Sequence, residues 1–211
     1  MNSDSPPPES YFSKMRGITH SPPGVNAAEI FWSWLGAFLG ITAVAYLHFS
    51  IDITTTDLEM LVASFGASAV LIYGAIKSPL AQPRNLIGGH VISAVIGVAC
   101  YKLLGPGIAR SLADSEHILG IIGYALLGTP HMCFASAIAV ATAIAAMHAT
   151  KTLHPPGGAT ALIAVIGSDR IHNLGFFYAI IPVAAGALIM LVVALLVNNI
   201  PKSRRYPEFW L

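Results

Sequence analysis

Six stretches of this chain carry no aspartate, glutamate, lysine or arginine: Ile30 to Leu47, Leu61 to Ile76, Leu86 to Tyr101, Ile118 to Thr150, Thr152 to Ser168 and Ile171 to Pro201. Runs of that length cannot form a water-exposed surface, because a soluble helix keeps charged and polar residues on its outer face. A helix needs about 20 apolar residues to cross a hydrocarbon core about 30 Å thick. With their flanks the first three runs make one span each, and the last makes another. Composition agrees: 55% of the 211 residues are hydrophobic and only 10% charged. The net charge of +1 comes without a basic cluster, which argues against nucleic acid as a partner. So apolar a chain with so little charge is not disordered either. The expected fold is an all-α polytopic membrane protein, with the lipid bilayer as its surroundings. Cys100 and Cys133 lie in apolar runs without metal or redox spacing and read as small buried hydrophobes.

Ile118 to Ser168 is too long for one crossing. It is interrupted at Gly128-Thr129-Pro130, and again at Lys151 and His154-Pro155-Pro156-Gly157-Gly158. It reads as a short outer helix over Ile118 to Leu127, a span over His131 to Ala149, and a broken span over Lys151 to Ser168. Residues 1–28, punctuated by Pro6-Pro7-Pro8 and Pro22-Pro23, form a polar tail rather than a signal peptide. Residues 29–200 form the transmembrane domain and 201–211 a second tail. With six spans and both termini cytoplasmic, the inner segments hold Lys14, Arg16, Lys77, Arg84, Lys151, Lys202, Arg204 and Arg205. Lys102, Arg110 and Arg170 stay outside, an asymmetry that follows the positive-inside rule.

Gly66-Ala67-Ser68-Ala69-Val70-Leu71 aligns with Gly158-Ala159-Thr160-Ala161-Leu162-Ile163. Each copy is preceded by a span and followed by a charged loop and a long apolar run. The chain therefore divides into repeat one (29–104), a linker (105–130) and repeat two (131–200). Three spans per repeat is an odd number, so the second repeat enters the membrane from the opposite side, the inverted 3+3 arrangement of many secondary transporters.

Pro155 and Pro156 lack amide hydrogens, and Gly157 and Gly158 add small, permissive backbone. A helix starting near Gly158 and ending by Ser168 would cover about 16 Å, roughly half a bilayer. Its N-terminus would present unpaired amides and the positive end of a helix dipole near the midplane. Ser64-Phe65-Gly66 would break the second span at equivalent depth. Facing breaks make a cradle for a small anion: backbone from Gly66, Ala67, Gly157, Gly158 and Ala159, hydroxyls from Ser64, Ser68 and Thr160. His154, ahead of the double proline, would bind the anion, shuttle a proton or cap backbone carbonyls, and His90, one turn into the third span, would face the same cavity or pack a helix end. Arg84 and Asn85 would form an entry site for the anion. No metal site or cofactor is expected. Gly36, Gly40, Gly97 and Gly186 read as close-packing positions, and Trp32, Trp34, Tyr46, Phe176, Phe177 and Trp210 as interfacial aromatics.

His154-Pro155-Pro156 followed by Gly157-Gly158-Ala159-Thr160-Ala161-Leu162 resembles the signature of the HPP family of integral membrane proteins. Ser78-Pro79-Leu80-Ala81-Gln82-Pro83-Arg84-Asn85, with Gly88-Gly89-His90, is a second block of the same kind. Members of that family are implicated in nitrite transport across cyanobacterial and plastid membranes. The resemblance thus implies a transporter or channel for a small inorganic anion, nitrite favoured, rather than an enzyme. A structural or sensory membrane subunit is the alternative; an intramembrane enzyme holding a metal on His90, His148 and His154 is a weaker one. The expected setting is a bacterial inner membrane, with glycine-lined spans suited to a homo-oligomer.

Overall fold

The computed structural model describes residues 24–50, 55–105 and 131–211, and all regular structure among them is helical. The helix expected over Ile118 to Leu127 and most of the two segments 1–28 and 105–130 lie outside the described residues. Helix α1 (Ala27–Ser50) begins where the Asn26 side chain accepts a hydrogen bond from the Glu29 amide at 2.9 Å, a normal N-cap. Helix α2 (Thr55–Ala69) runs on into one wide π turn, Val70–Gly74. The expected break at Gly66 is not there: α2 is continuous through that residue. A lone glycine costs a helix about 1 kcal/mol but keeps its N–H, whereas only proline deletes a rung of the ladder.

Helix α3 (Pro83–Leu104) starts on a proline after extended Gln82 and stops at Gly105. Helix α4 (His131–Ala149) is followed by a reversal in which Lys151 takes a positive φ of 56°. Helix α5 (Pro156–Ile166) is the short helix expected after the double proline, 11 residues long. Ser168 caps the single-turn-and-a-half helix α6 (Asp169–Leu174). A second π segment, Ala179–Ala184, leads into α7 (Ala185–Asn198). Ile181, at φ −129° and ψ 117°, departs from helix there, because Pro182 pushes its predecessor toward extended geometry.

Among the described residues, four helical stretches are long and apolar enough to cross a membrane: Ala27–Ser50, Pro83–Leu104, Met132–Ala149 and Ala179–Asn198. Met60–Gly74 and Pro156–Ile166 are apolar but shorter. Large side chains such as Phe31, Trp34, Phe38 and Leu196 face outward, as helices in lipid require. The expected interfacial aromatics Tyr46, Phe176, Phe177 and Trp210 are exposed as well. Cys100 is buried as expected, but Cys133 is exposed on α4, since lipid accepts a thiol as readily as a protein core does.

Glycines set the approach of the helices. A Cβ on Gly97 of α3 would fall 2.4 Å from the Ala161 carbonyl oxygen of α5, so the two backbones touch. On α1, Gly36 and Gly40 make the seat of the Tyr73 ring, and Gly186 of α7 lies against Phe65. All four close-packing expectations are met, by the mechanism that associates helices in membranes. Helix α1 packs on α7, and α3 on α4 and α5. Helices α2 and α5 run antiparallel. At one end the Asp57 carboxylate accepts from the Ser168 amide at 3.0 Å and from its hydroxyl. Further along, Ser64 meets Thr160, and then Ser68 meets His154.

At the opposite end the 75–82 loop, the 150–155 loop and the C-terminal segment meet. Gln82 donates to the Ile76 carbonyl at 2.9 Å and accepts from the Glu208 amide at 2.9 Å. Tyr206 donates to the Ala81 carbonyl at 2.7 Å, and burial raises its phenol pKa. Arg204 donates to the Tyr73 carbonyl and pairs with Glu29 at 3.3 Å. Burial lowers its guanidinium pKa, and the Glu29 carboxylate partly opposes that.

Candidate functional site

The two sequence blocks that carry the resemblance face one another. Gly88 and Gly89 leave α3 bare where the Thr152 to His154 segment crosses it: a Cβ on Gly88 would sit 2.6 Å from Thr152 Cγ2, and one on Gly89 2.5 Å from His154 Cβ. Gly157 is packed in the same way: a Cβ there would sit 2.7 Å from Ser93 Oγ and 2.9 Å from the Gly89 carbonyl oxygen. These absent side chains bring the imidazoles of His90 and His154 to a centroid separation of 5.0 Å.

Ser68 of α2 lies between them, its Oγ 2.7 Å from His90 Nε2 and 2.9 Å from His154 Nε2. Beyond His90, Nδ1 is 2.7 Å from Thr160 Oγ1, which is 3.0 Å from Ser64 Oγ. Ser64 also reaches the Pro156 carbonyl at 3.1 Å. At the other end, His154 Nδ1 is 2.8 Å from the Leu80 carbonyl. None of the five side chains is more than 2% exposed. Tyr178 donates to the Thr160 carbonyl at 3.1 Å, and the Phe65 ring lies tilted against His90 with centroids 4.8 Å apart.

The directions of these bonds follow from one acceptor. A carbonyl oxygen cannot donate, so His154 carries its hydrogen on Nδ1, and Nε2 of the neutral ring must accept from Ser68. Ser68 has one hydrogen, so its oxygen accepts from Nε2–H of His90. His90 Nδ1 then accepts from Thr160, and the single Ser64 hydrogen can turn to Thr160 Oγ1 at 3.0 Å or to the Pro156 carbonyl at 3.1 Å. Every polar side-chain atom of the cluster is thereby satisfied inside a fully buried contact, where each orphan would cost about 1–3 kcal/mol. Two charged imidazoles at this separation would repel by about 3 kcal/mol even at an effective dielectric near 20. The pair therefore holds at most one charge.

Ser64, Ser68, His90, His154 and Thr160 are thus brought together, with Pro156 contributing its carbonyl. The other expected residues are placed differently. Gly66 is partly exposed with nothing near its missing Cβ, and Ala67 is exposed. Gly158 meets only Val140, and Ala159 is exposed. Both lie on an outward groove with Val140, Ile144, Leu153 and Leu162, beside the exposed His148. The amides expected to be bare are used: Gly157 N–H bonds the His154 carbonyl at 2.8 Å and Gly158 N–H the Pro155 carbonyl at 3.0 Å. Pro155 and Pro156 have no N–H to offer. Arg84 and Asn85 clamp the α4–α5 connection, donating to the carbonyls of Thr150 at 2.7 Å and Leu153 at 2.8 Å. Among the described residues no three His, Cys, Asp or Glu side chains stand close enough to hold a metal.

Sequence reasoning missed the Leu80 carbonyl, for which no side-chain signal exists, and Asp57, whose pairing with Ser168 sets the α2–α5 register. It also missed His48, buried on α1 with Nε2 3.4 Å from the Pro182 carbonyl. That position could have been found as the histidine ending a charge-free run.

A sequence model of the HPP transmembrane region matches residues 22–207. Two transmembrane proteins of Dictyostelium discoideum are similar: one is 45% identical over 95% of this chain and 57% of its own length, the other 41% identical over 95% and 63%. This chain thus spans about six-tenths of the length of those relatives. No solved structure matches it.

Proposed function

Because the chain belongs to the HPP transmembrane family and buries two imidazoles and three hydroxyls among apolar helices, we propose that it transports a small monovalent anion across a membrane. Nitrite is favoured by the sequence resemblance. The carrying observation is the connected cluster Ser64, Thr160, His90, Ser68 and His154. Polar groups at membrane depth are costly and are retained where a polar solute or proton passes. The cluster lies where α2 widens into a π turn and α5 begins, and interruptions of this kind mark binding sites in transporters.

In this reading the six apolar helical segments are two inverted repeats. Packing of α1 on α7 matches α3 on α4, and the short pair α2 and α5 runs antiparallel at the centre, which supports that relation. Lys77, Lys151 and Arg204, in the loops and tail, and Arg84, in the first turn of α3, meet at one end of the bundle. The positive-inside rule puts that end in the cytoplasm. An anion enters by parting α5 from α2, so that hydroxyls and an imidazole N–H turn from one another to the anion. The test is initial uptake of labelled nitrite by liposomes holding the purified full chain, against protein-free liposomes. Saturable uptake supports transport. Nitrite, nitrate, formate and bicarbonate all entering at the protein-free rate would refute it in favour of a structural or sensory subunit.

A further inference from the structure

The hydrogen-bonded chain described above has a direction, and one added proton would reverse it between Ser64 and His154. In the neutral state the donors run from Ser64 to Thr160, His90, Ser68, His154 and finally the Leu80 carbonyl. Let a proton reach Ser64. Ser64 passes its own hydrogen to Thr160, Thr160 passes its hydrogen to His90 Nδ1, and His90 releases the Nε2 hydrogen to Ser68. Ser68 passes its hydrogen to His154 Nε2, and the charge then rests on His154, which still donates from Nδ1 to Leu80. No covalent bond other than those to hydrogen changes, and five hydrogens each move one position.

After the transfer every bond between Ser64 and His154 points the other way: His154 to Ser68, Ser68 to His90, His90 to Thr160, Thr160 to Ser64. Ser64 then donates to the Pro156 carbonyl, already 3.1 Å away. All contacts in both directions are those observed, 2.7 to 3.1 Å long, so the cluster takes up a proton without losing a hydrogen bond. The wire is closed at Leu80. Were His154 to lose its Nδ1 hydrogen there, a lone pair would face a carbonyl lone pair at 2.8 Å. A proton that enters by Ser64 therefore leaves by Ser64, which makes a store rather than a conduit. A second proton is opposed by the closeness of the two rings.

We propose that Ser64, Thr160, His90, Ser68 and His154 form a one-proton store, and that the anion crosses the membrane together with that proton. The second half rests on the transport reading above; the first does not. Groups that face the cluster from neighbouring elements are few among the described residues. They are His48 of α1, touching Phe65, and Tyr178, bonded to the Thr160 carbonyl. Tyr206 bonds Ala81 beside Leu80, and Arg84 is held on the Thr150 carbonyl. Asp57, two turns before Ser64 on α2, is a carboxylate within electrostatic reach of Tyr178, and the Ser168 amide and hydroxyl hold it at the far end of the α2–α5 contact.

Two measurements on the full chain in lipid test this. Solid-state NMR of isotope-labelled histidine nitrogens should find opposite neutral tautomers, hydrogen on Nδ1 of His154 and on Nε2 of His90. As pH falls, both rings should change in a single shared transition. In Ser68→Ala they should titrate separately, and Ser68→Thr, which keeps the hydroxyl, should restore the shared step. Matching tautomers, or independent titration in the unaltered chain, would overturn the store; those readings need no variant to fold. In liposomes loaded with a pH dye, nitrite uptake above the protein-free rate should acidify the lumen by one proton per anion and ignore an imposed potassium diffusion potential. Uptake that follows the potential without acidification would overturn the coupling while leaving transport standing. No nitrite uptake alongside a shared histidine transition would overturn transport and coupled movement, and leave the store.

Discussion

Replacing Gly97 with alanine tests whether α3 and α5 touch backbone to backbone. The new methyl carbon would stand 2.4 Å from the Ala161 carbonyl oxygen, 2.9 Å from its Cα and 2.7 Å from Ala164 Cβ. None of these is the tip of a flexible side chain, so relief requires the helices to separate by roughly 1 Å. Overpacking of this kind costs about 1–3 kcal/mol. Separation also stretches the 2.7 Å bond between His90 on α3 and Thr160 on α5, worth about 1 kcal/mol more. Helix propensity returns about 1 kcal/mol, because alanine is the better helix former. The net expectation is a loss of about 1–3 kcal/mol. The assay is reversible unfolding of the purified chain in detergent, with histidine NMR to show whether the His90 tautomer is lost. Stability equal to or above wild type would refute the intimate α3–α5 contact.

Gly66→Ala should behave oppositely: nothing lies within 4 Å of its missing Cβ, so a gain of about 0.5–1 kcal/mol is expected in the same unfolding assay. Gly158→Ala meets only Val140 Cγ1 at 3.7 Å and should fold and transport like wild type, checked by melting and nitrite uptake. Asn85→Ala removes the bond to the Leu153 carbonyl and should cost about 1 kcal/mol, with faster hydrogen exchange confined to the 150–155 connection. Tyr206 stays protonated in the folded chain above its ordinary pKa of 10.0, while the unfolded chain ionises there. Its contribution is full below pH 10 and falls as pH rises beyond it, so alkaline loss of stability should be shallower in Tyr206→Phe.

Absence of charge over long runs disclosed the membrane class and the extent of α1, α3 and α4, because lipid leaves a helix no other way to pair its backbone, whereas the run from Ile171 to Pro201 divides among α6, a π segment and α7. Pro155 and Pro156 disclosed α5 for an equally local reason, since two missing amide hydrogens can only open a helix. Gly66 misled because glycine permits a break without requiring one. Ser64, Ser68, His90, His154 and Thr160 are legible in the sequence as polar residues in apolar surroundings, and the structure brings them into one hydrogen-bonded cluster. Their chemistry was misjudged, as amides of Gly157 and Gly158 turn inward to their own carbonyls while side chains do the bonding. The link from Ser68 to both rings depends on a register pinned by Asp57 and Ser168, 111 residues apart. The ring tautomers depend on a main-chain carbonyl, which every residue possesses.

The central claim is that the buried His90, Ser68 and His154 contact is what moves the anion, and nitrite uptake by Ser68→Ala tests it most directly. With Gly158→Ala carried alongside as a folded comparison, the account predicts that Ser68→Ala slows uptake by about tenfold or more, the effect of about 1.4 kcal/mol on a barrier. Uptake by Ser68→Ala at the wild-type rate would contradict it.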